Sequence, residues 1–565
     1  MSAYYDLGTY SRTVTTKSDA AQRWFDRGLM WLYGYNHGEA VKCFRRAADH
    51  DPACIMAHWG IAYGVGCNYN KKWSVFTPEN VAEAMETARG AILAGYRYLA
   101  SVTPVEAALI QALEKRFQRE GEHLEEVLEA WNSEYAAAMR AVYRRFPDDW
   151  DVVALFAEAL INRTPWQLWD LPTRQPATGA DTLEAIDVLE RALAQVAAAG
   201  ADPHPGLLHI YIHVMEMSPH PQRALRAADQ LRELVPDTGH LKHMPSHIDI
   251  LCGDYYNAVQ ANQRAIAVDN IYRDREGDLN EYTFYRNHNI HFKLYAAMLL
   301  GQYRTAMEAV SEMEALVHED LLRVESPPMA DHLEGMLSMR VHVLIRFGKW
   351  EEILEVPFPE DRTLYCNTVA MLHYARAIAA ATLGQFDLAQ VELAAFPIAV
   401  AAVPDTRHIF NNTCIDILQI AEAMMNGEVA YHQGNYDDAY AELRRAVYLD
   451  DNLAYAEPWG WMMPTRHALG ALLLEQGHVE EAAAVYQADL GLDQSIYRPM
   501  QHPDNVWALH GYVSCLQQQG KTAEATMMQG RLDQALARAD VTITASCFCA
   551  GSGRNSNCGC DDCCR

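Results

Sequence analysis

The 565-residue chain is half apolar and carries 74 acidic against 46 basic side chains, a net charge of −28. An acidic excess of this size argues against nucleic acid or an anionic membrane as a partner. The sequence also lacks an apolar run of about eighteen residues, which a transmembrane helix needs, and a secretory signal. We therefore expect a cytoplasmic protein with a large core, and metal ions or cationic groups as its partners.

Residues 1–70 predict two helices joined by a turn. Six of their side chains stand at the spacing of one tetratricopeptide repeat (TPR): Trp24, Gly28, Ala40, Phe44, Ala47 and Pro52. The segment therefore resembles the TPR family, whose repeats are helical hairpins stacked side by side. The resemblance implies an all-α, TPR-like superhelix of the α-solenoid class.

Residues 71–200 are a divergent part of this array. Their apolar periodicity indicates helices from about Phe76 to Pro147. The stretch at 162–180, which contains prolines, tryptophans and a glycine, predicts a loop.

A turn motif, Gly-x-aromatic-x-x-Ala, recurs in the segments 201–345 and 346–540. Clear copies begin at Gly253, Gly301, Gly384 and Gly434, and weaker ones begin at Gly348, Gly477 and Gly520. We expect the glycine to make the turn, the aromatic ring to wedge between the helices, and the alanine to let the second helix approach closely. The repeats extend the resemblance to the TPR family over most of the chain.

Histidines recur at fixed distances before the turns of the segment 201–345. His209 and His213 lie ten and six residues before Pro219. His240, His243 and His247 lie thirteen, ten and six before Gly253, and His288 and His291 lie thirteen and ten before Gly301. Side chains four residues apart share a helix face, and matching offsets repeat that face on the next helix. In the TPR family the first helix of each repeat lines the concave groove. The resemblance therefore implies that these imidazoles converge on one inner surface.

This histidine set predicts a metal site, together with Glu216, which follows His213 by three residues. Imidazole is the commonest metal-binding side chain, and a His-x-x-x-His pair supplies two ligands from one helix. Two histidines with Glu216 would suit iron, whereas four histidines would suit copper(II) or zinc. Two metal-free interpretations stay open: buried histidines with a structural role, and a groove for an acidic ligand or a peptide terminus.

The C-terminal segment, residues 541–565, concentrates six cysteines: Cys547, Cys549, Cys558, Cys560, Cys563 and Cys564. Glycine, serine and asparagine between them predict a flexible tail. Cys-x-Cys pairs among small residues resemble the copper metallothioneins of fungi, and this resemblance implies Cu(I) binding by thiolates. A zinc site, a disulfide and a tail without a specific role are the alternatives.

Two functions are consistent with these patterns. In the first, a copper centre in the groove, or alternatively an iron or zinc centre, oxidises a small molecule or a peptide, and the cysteine tail handles Cu(I). In the second, the chain is a non-catalytic TPR scaffold or a metal-buffering protein with a peptide or protein partner. The shared histidine offsets favour the metal-dependent oxidoreductase.

Overall fold

The computed structural model describes residues 4–118 and 125–550 of the chain. The chain forms two compact units. Unit 1 comprises Met1–Cys252, Gln260–Asn289 and Tyr497–Pro499, and unit 2 comprises Gly253–Val259, Ile290–Ile496 and Met500–Arg565. None of the helices that the structure describes is long and apolar enough to cross a membrane.

Unit 1 begins with twelve helices and one small strand pair in this order: α1 (Asp19–Tyr33), α2 (His37–His50), α3 (Ile55–Gly64), α4 (Pro78–Tyr96), α5 (Pro104–Leu113), α6 (Glu125–Arg145), α7 (Trp150–Ile161), β1 (Trp169–Asp170), β2 (Gln175–Pro176), α8 (Thr182–Ala199), α9 (Pro205–Glu216), α10 (Leu225–Leu231), α11 (Gly239–His243) and α12 (Pro245–Leu251). Strands β1 and β2 are antiparallel and lie within the predicted loop at 162–180. Two further helices have residues in both units: α13 (Tyr255–Glu276) and α14 (Tyr282–Leu299).

The remaining helices and strands belong to unit 2: α15 (Tyr303–Leu316), α16 (Glu319–Leu322), α17 (Met329–Leu333), α18 (Met339–Arg346), α19 (Trp350–Glu355), α20 (Cys366–Thr382), α21 (Phe386–Val400), β3 (His408–Ile409), β4 (Asn412–Thr413), α22 (Cys414–His432), α23 (Tyr436–Asp451), α24 (Thr465–Glu475), α25 (Val479–Asp489), α26 (Val506–Gln518) and α27 (Thr522–Leu536). Short 3-10 helices lie at Trp73–Val75, Leu99–Ser101, Pro221–Ala224, Glu334–Ser338 and Arg498–Met500. Strands β3 and β4 are also antiparallel.

Helices that follow one another pack together as hairpins. This holds for α1 with α2, α20 with α21, α22 with α23, α24 with α25, and α26 with α27. The all-α, TPR-like fold that the sequence predicts is therefore confirmed.

The turn glycines adopt the backbone that the repeat motif requires. All seven predicted positions have a positive φ, including Gly384 at 74° and Gly434 at 84°. Glycine alone enters this region without steric cost. Each of these two glycines separates a helix that ends two residues earlier from one that begins two residues later.

The other two positions of the motif behave differently from each other. Ala389 and Ala439 are fully buried, so the second helix packs closely, as expected. The aromatic residues Phe386 and Tyr436 are 38% and 40% exposed, so neither is a fully buried wedge between helices. Tyr436 still contacts the preceding helix, because its ring lies 5.1 Å from that of Tyr431 on α22.

Pro245 divides the helix that the sequence predicts around the second histidine pair. A proline has no N–H to donate, so it begins a helix more readily than it continues one. His243 accordingly ends α11, and His247 lies in the first turn of α12.

The beginning of the cysteine-rich segment packs within unit 2. The Phe548 ring lies 5.8 Å from the Trp507 ring, and Cys547 and Cys549 are buried. The other four cysteines of the tail, Cys558, Cys560, Cys563 and Cys564, lie outside the described residues.

A pair of glycine substitutions tests the turn. At both Gly434 and Gly530 an added Cβ would meet no atom within 4 Å, but only Gly434 has a positive φ. Gly434→Ala should lower the free energy of unfolding by about 1–2 kcal/mol because of backbone strain. Gly530→Ala, inside α27, should raise it by about 0.5–1 kcal/mol. Urea denaturation measures both, and equal effects would contradict the turn assignment.

Candidate metal centre

Six of the predicted histidines lie together in unit 1 as two groups of three. Helices α9, α11, α12 and α14 supply them. Within each group, one ring nitrogen per residue lies within 4.8 Å of the others. Triad 1 is His209, His213 and His240, and triad 2 is His243, His247 and His288.

Triad 1 is fully buried. The Nε2 atoms of His209 and His240 are 3.1 Å apart. Nε2 of His213 and Nδ1 of His240 have no hydrogen-bond partner among the residues that the structure describes. Burying an imidazole nitrogen without a partner costs about 1–3 kcal/mol, so these two atoms call for a ligand.

The Tyr35 ring contacts all three histidines of triad 1. It stacks on His213 and His240, with centroids 5.8 and 5.5 Å away, and lies 4.6 Å from the ring of His209. Its backbone is left-handed, with a φ of 55°. A non-glycine residue in this region stores strain, and such residues concentrate at functional sites. The sequence analysis did not select Tyr35, although it follows the turn glycine of the first repeat, Gly34.

Triad 2 is held by an outer hydrogen bond and has one partly exposed member. Nε2 of His243 lies 2.7 Å from Nε2 of His247, and Nδ1 of His243 lies 2.6 Å from Oδ1 of Asn262 on α13. The His288 ring lies 4.6 Å from that of His243. His288 is half-buried, whereas the other five histidines are buried.

Glu216 joins the two triads. Its Oε1 is 3.1 Å from Nδ1 of His213, and its Oε2 is 3.0 Å from Nδ1 of His247. In metal sites a carboxylate at this position fixes the tautomer and the orientation of the ring. The structure places Glu216 beside two of the histidines, in contact with both.

The triads are neighbours. The ring centroids of His213 and His247 are 6.0 Å apart, and those of His240 and His243 are 5.9 Å apart. In two-metal sites the ions lie roughly 3.5–4 Å from each other. Ring centroids about 6 Å apart across the two triads are compatible with one ion at each triad.

Two imidazole nitrogens lie close together in triad 2. The amide oxygen of Asn262 only accepts hydrogen bonds, so Nδ1 of His243 donates to it and Nε2 of His243 carries a lone pair. That lone pair faces Nε2 of His247 at 2.7 Å. Two nitrogens bound at about 2.0–2.1 Å to one ion at a right angle are about 2.9 Å apart. The spacing therefore suits two ligands of one ion.

Burial keeps the rings in the form that binds metals. It lowers the pKa of His213 and of His243 to about 3, and moves the pKa of His240 well below its usual value. Metal binding requires neutral imidazole. Burial also raises the pKa of Glu216 well above its usual value.

Histidines in unit 2 show the contrasting, structural arrangement. Asp489 lies 2.9 Å from Nε2 of His467 and 2.8 Å from Nδ1 of His502. Their other ring nitrogens contact Arg346 and Tyr295, each at 2.8 Å. Every ring nitrogen of this pair has a polar partner of opposite character, as is usual for buried polar groups.

His291, the seventh predicted ligand, lies in unit 2. Its Nε2 is 2.9 Å from the sulfur of Met462, and its ring stacks on that of Phe410. Cys547 and Cys549 also lie in unit 2, joined as a disulfide. The triads of unit 1 therefore contain six of the fourteen predicted metal ligands, with Glu216 beside them.

No family model matches the chain. No curated protein matches it. Among solved structures, the chain is similar to the human IFIT1 dimer with m7Gppp-AAAA, with 11% identity over 92% of this chain and 97% of that chain and a TM-score of 0.32. It is also similar to yeast Tom70, with 13% identity, 93% and 99% coverage and a TM-score of 0.29. A third similar structure is the TPR domain of P58(IPK), with 10% identity, 91% and 99% coverage and a TM-score of 0.20.

A substitution at Asp489 tests whether His467 and His502 have a structural role, in contrast to the histidines of the two triads. Asp489→Asn should lower the free energy of unfolding by about 1.5–3 kcal/mol, because its hydrogen bonds to His467 and His502 lose a charge. The control is Asp493→Asn, at an exposed carboxylate that accepts hydrogen bonds from the N–H and the hydroxyl of Ser495. Equal stability of both variants in urea denaturation would contradict the structural role.

Proposed function

We propose that unit 1 binds two copper ions, one at each histidine triad, and that the protein is a copper-dependent oxidoreductase. The observation that carries the proposal is the pair of adjacent triads, each with three ring nitrogens within 4.8 Å. Nε2 of His213, which is buried without a hydrogen-bond partner among the described residues, supports it. An ion bound at triad 1 would give this atom a partner.

Copper fits this donor set better than the other candidate metals. Imidazole ligands suit copper and zinc, and copper(II) binds nitrogen sites most tightly among the divalent first-row ions. Iron of the two-histidine, one-carboxylate type would need Glu216 as a ligand. Both oxygens of Glu216 instead lie at Nδ1 atoms of histidines.

The chain's own residues would orient the ligands and limit access to them. Glu216 and Asn262 hold the Nδ1 atoms of three rings, which directs the opposite nitrogens towards the ions. Tyr35 covers triad 1, and the Tyr69 ring lies 4.8 Å from that of His213. Both tyrosines are buried. Solvent and small molecules would therefore approach at triad 2, beside the half-buried His288.

Copper would supply one-electron oxidation and reduction when bound. A buried, all-imidazole centre with one accessible side suits an oxidation whose substrate, a small molecule or an exposed peptide group, approaches from the side of His288. The helices contribute rigidity, because each ligand is fixed by a packed helix rather than by a loop.

A metal-buffering or scaffold protein is the second candidate. The cluster of cysteines at the C-terminus favours it, because thiolates bind Cu(I) tightly without any catalytic role. In this alternative a peptide or protein partner would bind the helical array, as such arrays commonly do.

Metal analysis of histidine variants tests the two-ion centre. The starting protein is the full-length chain with all six C-terminal cysteines changed to serine, so that only other sites retain metal. It should hold about two copper ions per chain after loading and desalting, since each triad provides one three-nitrogen site. His240→Ala and His288→Ala should each retain about one.

His502→Ala is the matched control for these variants, because His502 is buried and bonded to Asp489. It should retain both ions. A starting protein without bound copper would contradict the proposal, and so would a His502→Ala variant that loses copper as fully as the triad variants.

The role of Glu216 has a separate test. Glu216→Gln keeps one hydrogen-bond donor and one acceptor, so the stability of the metal-free protein should change little. Copper affinity should fall about 10- to 100-fold, because the charge that supports two ligands is lost. Glu190→Gln, at a carboxylate that bonds to Tyr211, is the control. Unchanged copper affinity in a competition titration would show that Glu216 does not support the metal.

A further inference from the structure

Unit 2 contains a further group of side chains that could bind a metal: Glu428, Cys547 and Cys549. One carboxylate oxygen of Glu428 and the two sulfurs all lie within 4.8 Å of one another. Glu428 is 1% exposed, Cys547 5% and Cys549 not at all. Helix α22 supplies the carboxylate, and the segment after α27 supplies the sulfurs.

Glu428 faces this group with an unsatisfied oxygen. Within the described part of the chain, its Oε2 is buried and has no hydrogen-bond partner. An ion held between the carboxylate and the two sulfurs would give this buried group a partner.

The segment that carries the sulfurs is fixed on both sides. Arg346 donates to the carbonyl of Ser546, and the hydroxyl of Ser546 donates to the carbonyl of His467 at 2.9 Å. Phe548 packs on Trp507 and against Gly348, where a Cβ would lie 2.8 Å from that of Phe548. The packing of this segment therefore fixes the position of the two sulfurs in the fold.

The backbone also favours a negative charge on sulfur. The amide of Cys549 donates to the sulfur of Cys547 at 3.3 Å. A hydrogen bond of this kind stabilises a thiolate, which is the form that binds metals. Two thiolates, an ionised Glu428 and the guanidinium of Arg346 would sum to a charge of about −2, which a divalent ion neutralises.

We propose that Cys547, Cys549 and Glu428 form a redox-gated zinc site in unit 2. Two sulfurs and one oxygen are ligands that zinc accepts, with a fourth position left for water or a small ligand. The disulfide between the two cysteines is the closed state of the site. The site is independent of the copper centre, because it shares no residue with either triad.

Opening the site is a thiol–disulfide exchange with a small dithiol. The reductant's two S–H groups become a disulfide, the Cys547–Cys549 bond breaks, and both cysteines gain a hydrogen. Zn²⁺ then binds the two sulfurs, and the two thiol protons pass to solvent. Oxidation of the cysteines by a disulfide reagent reverses the sequence and releases the ion.

Co²⁺ absorption isolates this site from the histidine centre, since only sulfur ligands give the intense thiolate-to-cobalt charge-transfer band. The protein is the full chain with Cys558, Cys560, Cys563 and Cys564 changed to serine, reduced with dithiothreitol and then desalted. Co²⁺ should produce the band, and about one equivalent of Zn²⁺ should abolish it. Protein kept as the disulfide should show no band until it is reduced.

Three variants in this background complete the test. Changing Cys547 and Cys549 to serine should eliminate the band. Glu428→Gln should weaken zinc binding at least 10-fold, whereas Glu422→Gln, at an exposed carboxylate of the same helix, should leave it unchanged. Circular dichroism confirms that each variant is folded.

Two results would overturn the proposal. One is a reduced, folded protein without a thiolate band, and the other is zinc affinity that does not respond to Glu428→Gln. Neither result bears on copper binding at the triads, which is measured with all six C-terminal cysteines changed to serine. The two proposals can therefore fail separately.

Discussion

A buried imidazole nitrogen needs a partner, and unit 1 is organised around this requirement. Six histidines cluster there, and leaving one of their nitrogens unsatisfied costs about 1–3 kcal/mol. Glu216 and Asn262 lie at three Nδ1 atoms. Nε2 of His213 has no hydrogen-bond partner among the described residues, and the copper ion proposed at triad 1 would provide one.

The helical array can meet such a requirement because contacts outside the centre fix the start of α9, which carries two of the ligands. His204 caps α9: its Nδ1 accepts from the amide of Leu207, and its Nε2 lies 3.2 Å from Asp151. Asp151 in turn binds Arg12 at 2.7 Å and Tyr33 at 2.6 Å. The direction in which His209 and His213 point from α9 thus depends on contacts well outside the centre.

The parts of this arrangement that depend on local chemistry could be predicted from the sequence. A positive φ at a helix-to-helix turn strongly favours glycine, so Gly384 and Gly434 located their turns correctly. Equal offsets from a turn also identified the histidines that meet in the triads. The break at Pro245 could also have been predicted, because proline ends the preceding helix. The spacing of the histidines instead suggested one continuous helix.

Features that depend on distant contacts could not be predicted in this way. Glu216 shares the face of His213, but its second contact, to His247, depends on how α9 packs against α12. Tyr35 and Asn262 reach the histidines from other helical hairpins, and no spacing in the sequence connects them. Cys549 lies in a segment rich in small polar residues, which suggested flexibility, yet its sulfur is buried near Glu428.

X-ray absorption at the copper edge tests the central claim most directly. The sample is the full-length chain with its six C-terminal cysteines changed to serine, loaded with copper and desalted. The account predicts a first shell of nitrogen only, at about 2.0 Å, with the outer-shell scattering of imidazole rings and a copper neighbour at roughly 3.5–4 Å. A first shell dominated by sulfur, or by oxygen without imidazole scattering, would contradict it.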